Sequence, residues 1–159
     1  MLSIKNQCIY SLCLEEASKS ELLYQHGCIA TCGGKIMARG YNTNRSRYNK
    51  DRYGIKTCTC HAEISVLIKL HYHLLKKCKE HKINKIFKKT TLYISRVKNE
   101  DTSYNSAPCF ECLTMIKYYN VKRIIFYHDN EYFIMNPHDY TTQHQSYGKI
   151  YVDKYDHCY

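Results

Sequence analysis

At 159 residues, 44% hydrophobic and 24% charged, the chain is long enough for one ordinary domain that buries roughly 70% of its unfolded surface, and no apolar run approaches the ~18 residues of a membrane span. Twenty-four Lys and Arg against 14 Asp and Glu give a formal charge of +10, which suits attraction to a polyanion or a phosphorylated substrate and equally suits the coding bias of an A/T-rich genome; net charge bears on association and excludes no chemistry. The start of the chain turns polar too soon for a signal peptide, so its ten cysteines read as thiols or ligands of a cytoplasmic protein and not as a secreted disulfide framework.

Apolar residues at Cys8/Ile9, Leu12/Cys13 and Ala17 fall near helical spacing and predict a first helix over Cys8–Leu23. A short β-type run, His26–Cys32, follows. Gly33-Gly34 supplies the positive φ of a tight hairpin turn, and Lys35–Tyr41 is the partner strand. Thr43–Thr59 is a polar loop carrying Arg45, Arg47, Lys50, Arg52 and Lys56. Ile64, Leu67, Ile68, Leu74, Leu75 and Cys78 then mark a long helix from Cys60 to about Glu80. A lysine-rich stretch ends at Lys88-Lys89, before a buried strand, Thr91–Ser95. Arg96–Ala107 is a polar connection, and Cys109–Tyr119 is a helix with Leu113 and Ile116 inward. Val121–Tyr127 is the clearest strand. Beyond Asp129 only fragments stand out, with Tyr132–Met135 and Lys149–Val152 as strands or edge pieces. This order predicts an α/β fold, a sheet between helices, in a single domain with a core over about 8–128 and a C-terminal extension over 129–159.

Two motifs carry chemistry: His61-Ala62-Glu63 and Pro108-Cys109-Phe110-Glu111-Cys112, each opening a predicted helix. Cys109 and Cys112, three apart at a helix start, put both sulfurs on one face, where they can bind one metal ion. His61 lies on the inward stripe of Ile64 and Ile68. The positive ends of two helix dipoles favour thiolates there. Three protein ligands leave the fourth tetrahedral position for water, the arrangement of a catalytic zinc. Glu63, two residues from His61, is placed to take a proton from that water without displacing it. Alone, a Cys-x-x-Cys is more often structural or redox, and Cys58 and Cys60 offer a structural cage with Cys109 and Cys112. Cys60 is read instead as packing, because adjacent helix-start residues would have to share one ion. Cys8, Cys13, Cys28, Cys32 and Cys78 read as core, and His71, His73 and His81 as surface.

Together the motifs match the H-x-E…P-C-x-x-C signature of zinc deaminases. From about Tyr10 to Tyr127 the chain resembles the cytidine/deoxycytidylate deaminase superfamily, which also shows a Gly-Tyr-Asn like Gly40-Tyr41-Asn42. The resemblance implies a three-layer α/β/α fold with a five-stranded mixed sheet, a Zn2+ cofactor on His61, Cys109 and Cys112, Glu63 as the catalytic residue, Asn42 on the substrate's sugar, and a homo-oligomer. Glu111 before the second Cys looks more like the deoxycytidylate deaminases, whose reaction converts dCMP to dUMP; CMP to UMP is the ribose counterpart. Arg45 and Arg47 are then candidates for the 5′-phosphate, and a merely solvated loop is the alternative. Other readings are a base deaminase acting within RNA or single-stranded DNA, suggested by the charge and the tyrosines, and a non-catalytic zinc-binding relative. The chain departs from the family in the 44 residues between Glu63 and Pro108, in His26-Gly27 on the first strand, and in the tyrosine-rich tail.

Overall fold

A computed structural model describes residues 1–44, 58–98 and 102–155. Helix α1 (Ile4–Ala17) begins a turn before the expected start, because the Ser3 hydroxyl accepts a hydrogen bond from the Asn6 N–H and caps it. It ends well before Leu23. Ser20 turns the chain away by donating its hydroxyl to the Asn42 carbonyl, 2.8 Å. Strands β1 (Gln25–Cys32) and β2 (Lys35–Tyr41) form the expected hairpin, with Gly33 and Gly34 at φ 59° and 80°.

The apolar period of the next segment holds as far as α2 (Ala62–Leu75). It ends five residues short of the expected Glu80, and the lysine-rich stretch, given no element by the sequence, forms a second helix, α3 (Glu80–Phe87). Only Ile83 and Phe87 of α3 are buried, a two-residue stripe that its lysines obscure. Strand β3 (Thr90–Lys98) runs three residues past the expected Ser95 and pairs at its end with a two-residue β4 (Thr102–Ser103). Helix α4 (Phe110–Tyr118) and strand β5 (Arg123–His128) lie where the sequence put them. In the tail, β6 (Glu131–Met135) is a true strand paired with β5, its Phe133 stacked on Phe126 with ring centroids 5.4 Å apart. The Lys149–Val152 fragment, read as a strand or edge piece, is instead part of a helix, α5 (Tyr147–Tyr155). Its alternating Ile150 and Val152 imitated a strand, but Ser146 Oγ accepts from the Lys149 N–H at 3.2 Å and the Lys149–Asp153 pair spans one turn.

The sheet runs β2-β1-β3-β5-β6, five strands with the small β4 off the path. It is mixed: β3 and β5 are parallel, and the other neighbours antiparallel. Strand alternation divides its side chains into two cores. Cys28, Ala30, Leu92, Ile94, Ile124 and Phe126 pack under α2, α3 and α4, whereas Ile29, Tyr93 and Ile125 pack against Ile9, Tyr10 and Cys13 of α1. The result is the α/β/α layering expected. Helix α1 approaches β1 so closely that a Cβ on Gly27 would stand 2.4 Å from the Cys13 carbonyl oxygen and 2.6 Å from the Ala17 nitrogen. Among the described residues no helix is long and apolar enough to cross a membrane.

Candidate active site

The two chemical motifs meet at one end of the sheet. His61 and Cys109 occupy the N-cap positions of α2 and α4, both with extended backbone (ψ 154° and 170°), and neither spends its side chain on capping. Cys112 follows in the first turn of α4. The connection into α4 is clamped by Ser106, which is buried: its hydroxyl donates to the Ile94 carbonyl at 2.7 Å and accepts from the Tyr127 N–H at 3.0 Å, tying the loop to β3 and β5 just ahead of Pro108. A short β-bridge between Thr43 and Cys60 does the same for the approach to His61.

This scaffold brings His61 Nδ1 to 3.2 Å from Cys112 Sγ and 3.5 Å from Cys109 Sγ. All three ligand atoms lie within 4.8 Å of one another, and among the described residues no other group of three such side chains does so. With Zn–S near ~2.3 Å and Zn–N near ~2.0–2.1 Å, tetrahedral geometry separates N and S ligands by about 3.6 Å. The residues present therefore fit zinc. Cys109 and Cys112 are 7% and 1% exposed. The Cys112 thiol, and then His61, hydrogen-bond Cys109 and push its pKa down to about 6 against the opposing effect of burial. Cys112 is held well above the usual thiol range by burial, by Cys109 and by Glu63. Without metal the pair shares a proton that metal binding would release. For His61, burial acts downward, but Cys109, Glu63 and Glu111 outweigh it and raise its pKa.

Glu63, in the first turn of α2, is 4% exposed and abuts the metal-ligand cluster, where its carboxyl group acts on the Cys112 thiol by hydrogen bond and charge. Cys60 is buried but turned away, its thiol donating to the His61 carbonyl at 3.7 Å, and burial raises its pKa to about 11. That is packing, as expected. Cys58 is exposed and donates to the Gly148 carbonyl. Every described cysteine is a free thiol.

The model of the cytidine and deoxycytidylate deaminase zinc-binding region matches residues 3–128. The chain belongs to that family. No curated protein matches it. Among solved structures it is similar to the dCMP deaminase of cyanophage S-TIM5 in complex with dCMP and dUMP, at 18% identity and TM-score 0.51 over 78% of this chain and 81% of that one. It is also similar to the cytidine deaminase of Burkholderia pseudomallei, at 13% identity and TM-score 0.56 over 87% and 95%. A tRNA:A34 deaminase aligns at 20% identity and TM-score 0.45 over 76% and 74%. At such identities these likenesses speak to the fold. As a member of this family the chain is a zinc-dependent deaminase, and Zn2+ is its cofactor.

The other expected site residues of this deaminase fare differently. Asn42 is buried at the end of β2, with its Oδ1 accepting from the His26 N–H at 2.8 Å and its Nδ2 donating to the Tyr24 carbonyl at 2.6 Å. It thus pins the end of β2 to the start of β1, and among the described residues one amide N–H and one oxygen lone pair have no further partner. Arg45 and Arg47 lie outside the described residues. A groove of about 700 Å3 runs along α2 past Lys69, Tyr72 and Lys76 and touches the site only through Asn42 and Cys60; none of His61, Glu63, Cys109 and Cys112 lines it.

Two polar residues on the same face of the sheet were not legible as such. His26 and Arg96 pair across β1 and β3 on the rung beyond Cys28–Ile94, so they stand on the face that carries the metal-ligand cluster. Reading His26-Cys28-Ala30 and Leu92-Ile94-Arg96 as alternations would have put both there; the sequence reading ended its strand at Ser95. His26 is kept neutral, its pKa pushed down to about 3 by burial first and then by Arg96, His61 and His144. The tail reaches the same place, with the His144 carbonyl accepting from the Phe110 N–H at 2.8 Å, the first amide of α4.

Proposed function

We propose that this deaminase converts a cytosine nucleotide, dCMP or CMP, to the corresponding uracil nucleotide and ammonia, with zinc on His61, Cys109 and Cys112 and Glu63 as the proton carrier. The observation that carries the reading is a buried carboxyl group, Glu63, set against a His-Cys-Cys cluster of zinc geometry at the starts of two helices. When bound there, zinc supplies a Lewis acid that makes water nucleophilic near neutral pH.

The residues of the chain do the rest. Glu63 accepts a proton from the water as it adds to C4 of the cytosine ring and delivers it to N3. A second proton passed through Glu63 to the amino group lets ammonia leave, so that one water is consumed and one ammonia released. The two helix starts aim backbone N–H groups toward the charge that develops. Asn42, with its remaining amide capacity, holds the sugar. The solved complex of the S-TIM5 enzyme with dCMP and dUMP supports a monophosphate as substrate for a protein of this fold.

The test is ammonia or uracil release by zinc-loaded protein from dCMP, CMP, deoxycytidine, cytidine and a short oligonucleotide carrying cytosine and adenine, with Glu63→Ala alongside. Turnover of a free monophosphate that the substitution abolishes is the expected result. Turnover of the oligonucleotide alone would move the protein to base deamination within polynucleotides. Silence on every substrate, with zinc bound, would overturn the catalytic reading.

A further inference from the structure

Resting on the reading that the substrate is a cytosine nucleotide, we propose that Arg96 at the end of β3 is the residue that receives the substrate's phosphate. Its place is set by the sheet: it is the register partner of His26 and follows Ile94 on the face covered by α2 and α4, toward the end where His61, Cys109 and Cys112 meet. Its guanidinium lies over the Tyr24 ring, 4.7 Å from the centroid. Tyr24 is itself 40% exposed, so the group sits between the core rung and solvent.

What marks Arg96 is a nitrogen, Nε, kept from solvent with no acceptor. Among the described residues no carboxylate is paired with it; the ion pairs there are Lys19–Glu16, His128–Asp129 and Lys149–Asp153. A guanidinium nitrogen shielded from water without an acceptor is costly, and proteins keep one where a ligand completes it. Tyr24 takes the face of the group, which leaves its in-plane N–H edge for a partner with two oxygens. A phosphate fits that fork with parallel, charge-assisted hydrogen bonds. The neighbouring His26 is held neutral, and it contributes an imidazole without demanding a carboxylate of its own.

Binding separates this inference from the catalytic reading. Titration calorimetry compares dUMP with deoxyuridine on zinc-loaded wild type and on Arg96→Gln, with zinc content and melting temperature as fold controls. Wild type should prefer dUMP. Arg96→Gln should weaken dUMP at least tenfold and leave deoxyuridine within twofold, and in turnover KM for dCMP should rise with kcat largely kept. Arg96→Lys, which keeps the charge without the fork, should fall between and reads the same contrast if the Gln variant does not fold. Equal weakening of dUMP and deoxyuridine, unaltered dUMP binding in Arg96→Gln, or a wild type indifferent to the phosphate would each overturn the assignment. Arg96-dependent dUMP binding in a protein that deaminates no free nucleotide would leave Arg96 standing and overturn the proposed reaction instead.

Discussion

Replacing Gly27 by Ala tests the packing on which the site is built. The new methyl would meet the Cys13 carbonyl oxygen at 2.4 Å, the Ala17 nitrogen at 2.6 Å and the Ala17 Cα at 3.0 Å. All three are backbone atoms, so no rotamer change relieves the overlap. Ordinary contact begins near 3.4 Å, so α1 must retreat from β1 by about 1 Å, a gap that forfeits a quarter to a half of each dispersion contact across it. The Ser95 hydroxyl would also lose its 2.7 Å bond to the Cys13 carbonyl, and the Cys13 thiol its 3.2 Å bond to the Tyr93 carbonyl. Overpacking of this kind costs about 1–3 kcal/mol, and each stranded buried bond adds about 1 kcal/mol. A loss of about 3 kcal/mol lowers Tm by roughly 6–12 °C in a chain of this size. Thermal and urea unfolding of zinc-loaded wild type and Gly27→Ala would measure it, with zinc stoichiometry expected to stay the same because the cluster lies on the opposite face of the sheet. Equal stability of the two proteins would show that α1 does not approach β1 in this way.

Glu63→Gln keeps the volume of a buried side chain and removes its proton chemistry; kcat should fall by about 10²–10⁴ with zinc retained, and steady-state rates paired with metal analysis would contradict the shuttle if activity stayed within tenfold. Cys112→Ser should lose stoichiometric zinc, which elemental analysis after dialysis would reveal, and metal retention at wild-type affinity would remove Cys112 from the ligand set. Zinc at a thousandfold its Kd should stabilise the native state by about 4 kcal/mol, so chelated and zinc-loaded protein that melt together would mean that no native site binds it. His26 is neutral in the native state down to about pH 3, whereas unfolded histidine takes a proton near ~6.5. The unfolded state therefore binds more protons between these values, and stability drops as pH falls through the window by up to about 1.4 kcal/mol per pH unit. His26→Gln should flatten that slope, and parallel slopes for variant and wild type would contradict a buried neutral imidazole.

The chemistry was legible because it is local. Two thiol ligands three residues apart, and a histidine ligand two residues from a carboxylate, at helix starts need no knowledge of the fold to be recognised, and Gly33-Gly34 announces its hairpin by dihedral preference alone. The long apolar stripe of α2 was equally plain. Its end was not, since α3 is anchored by Ile83 and Phe87 alone among lysines. Helix α5 buries no residue and so leaves no periodic trace of a core. Arg96, His26 and Ser106 are placed by strand register and by partners on distant strands, such as the Ile94 carbonyl and the Tyr127 N–H. Such relations appear once the strands are aligned, which no local pattern does.

The family's shared region stops at His128, the last residue of β5, while the sheet continues into β6. Strand β6 closes one flank of β5 through the ladder from Ile124↔Met135 to His128↔Glu131. A chain cut at the family boundary would turn Arg123-Ile-Ile-Phe-Tyr-His128 into a bare apolar border with unpaired N–H and C=O groups, a template for adding further strands from other molecules. Such a fragment is expected to self-associate where the longer chain stays dispersed, and light scattering of the two at equal concentration would tell; a fragment as dispersed as the full chain would refute it. On that expectation the matched region and the unit that folds cleanly differ by at least one strand.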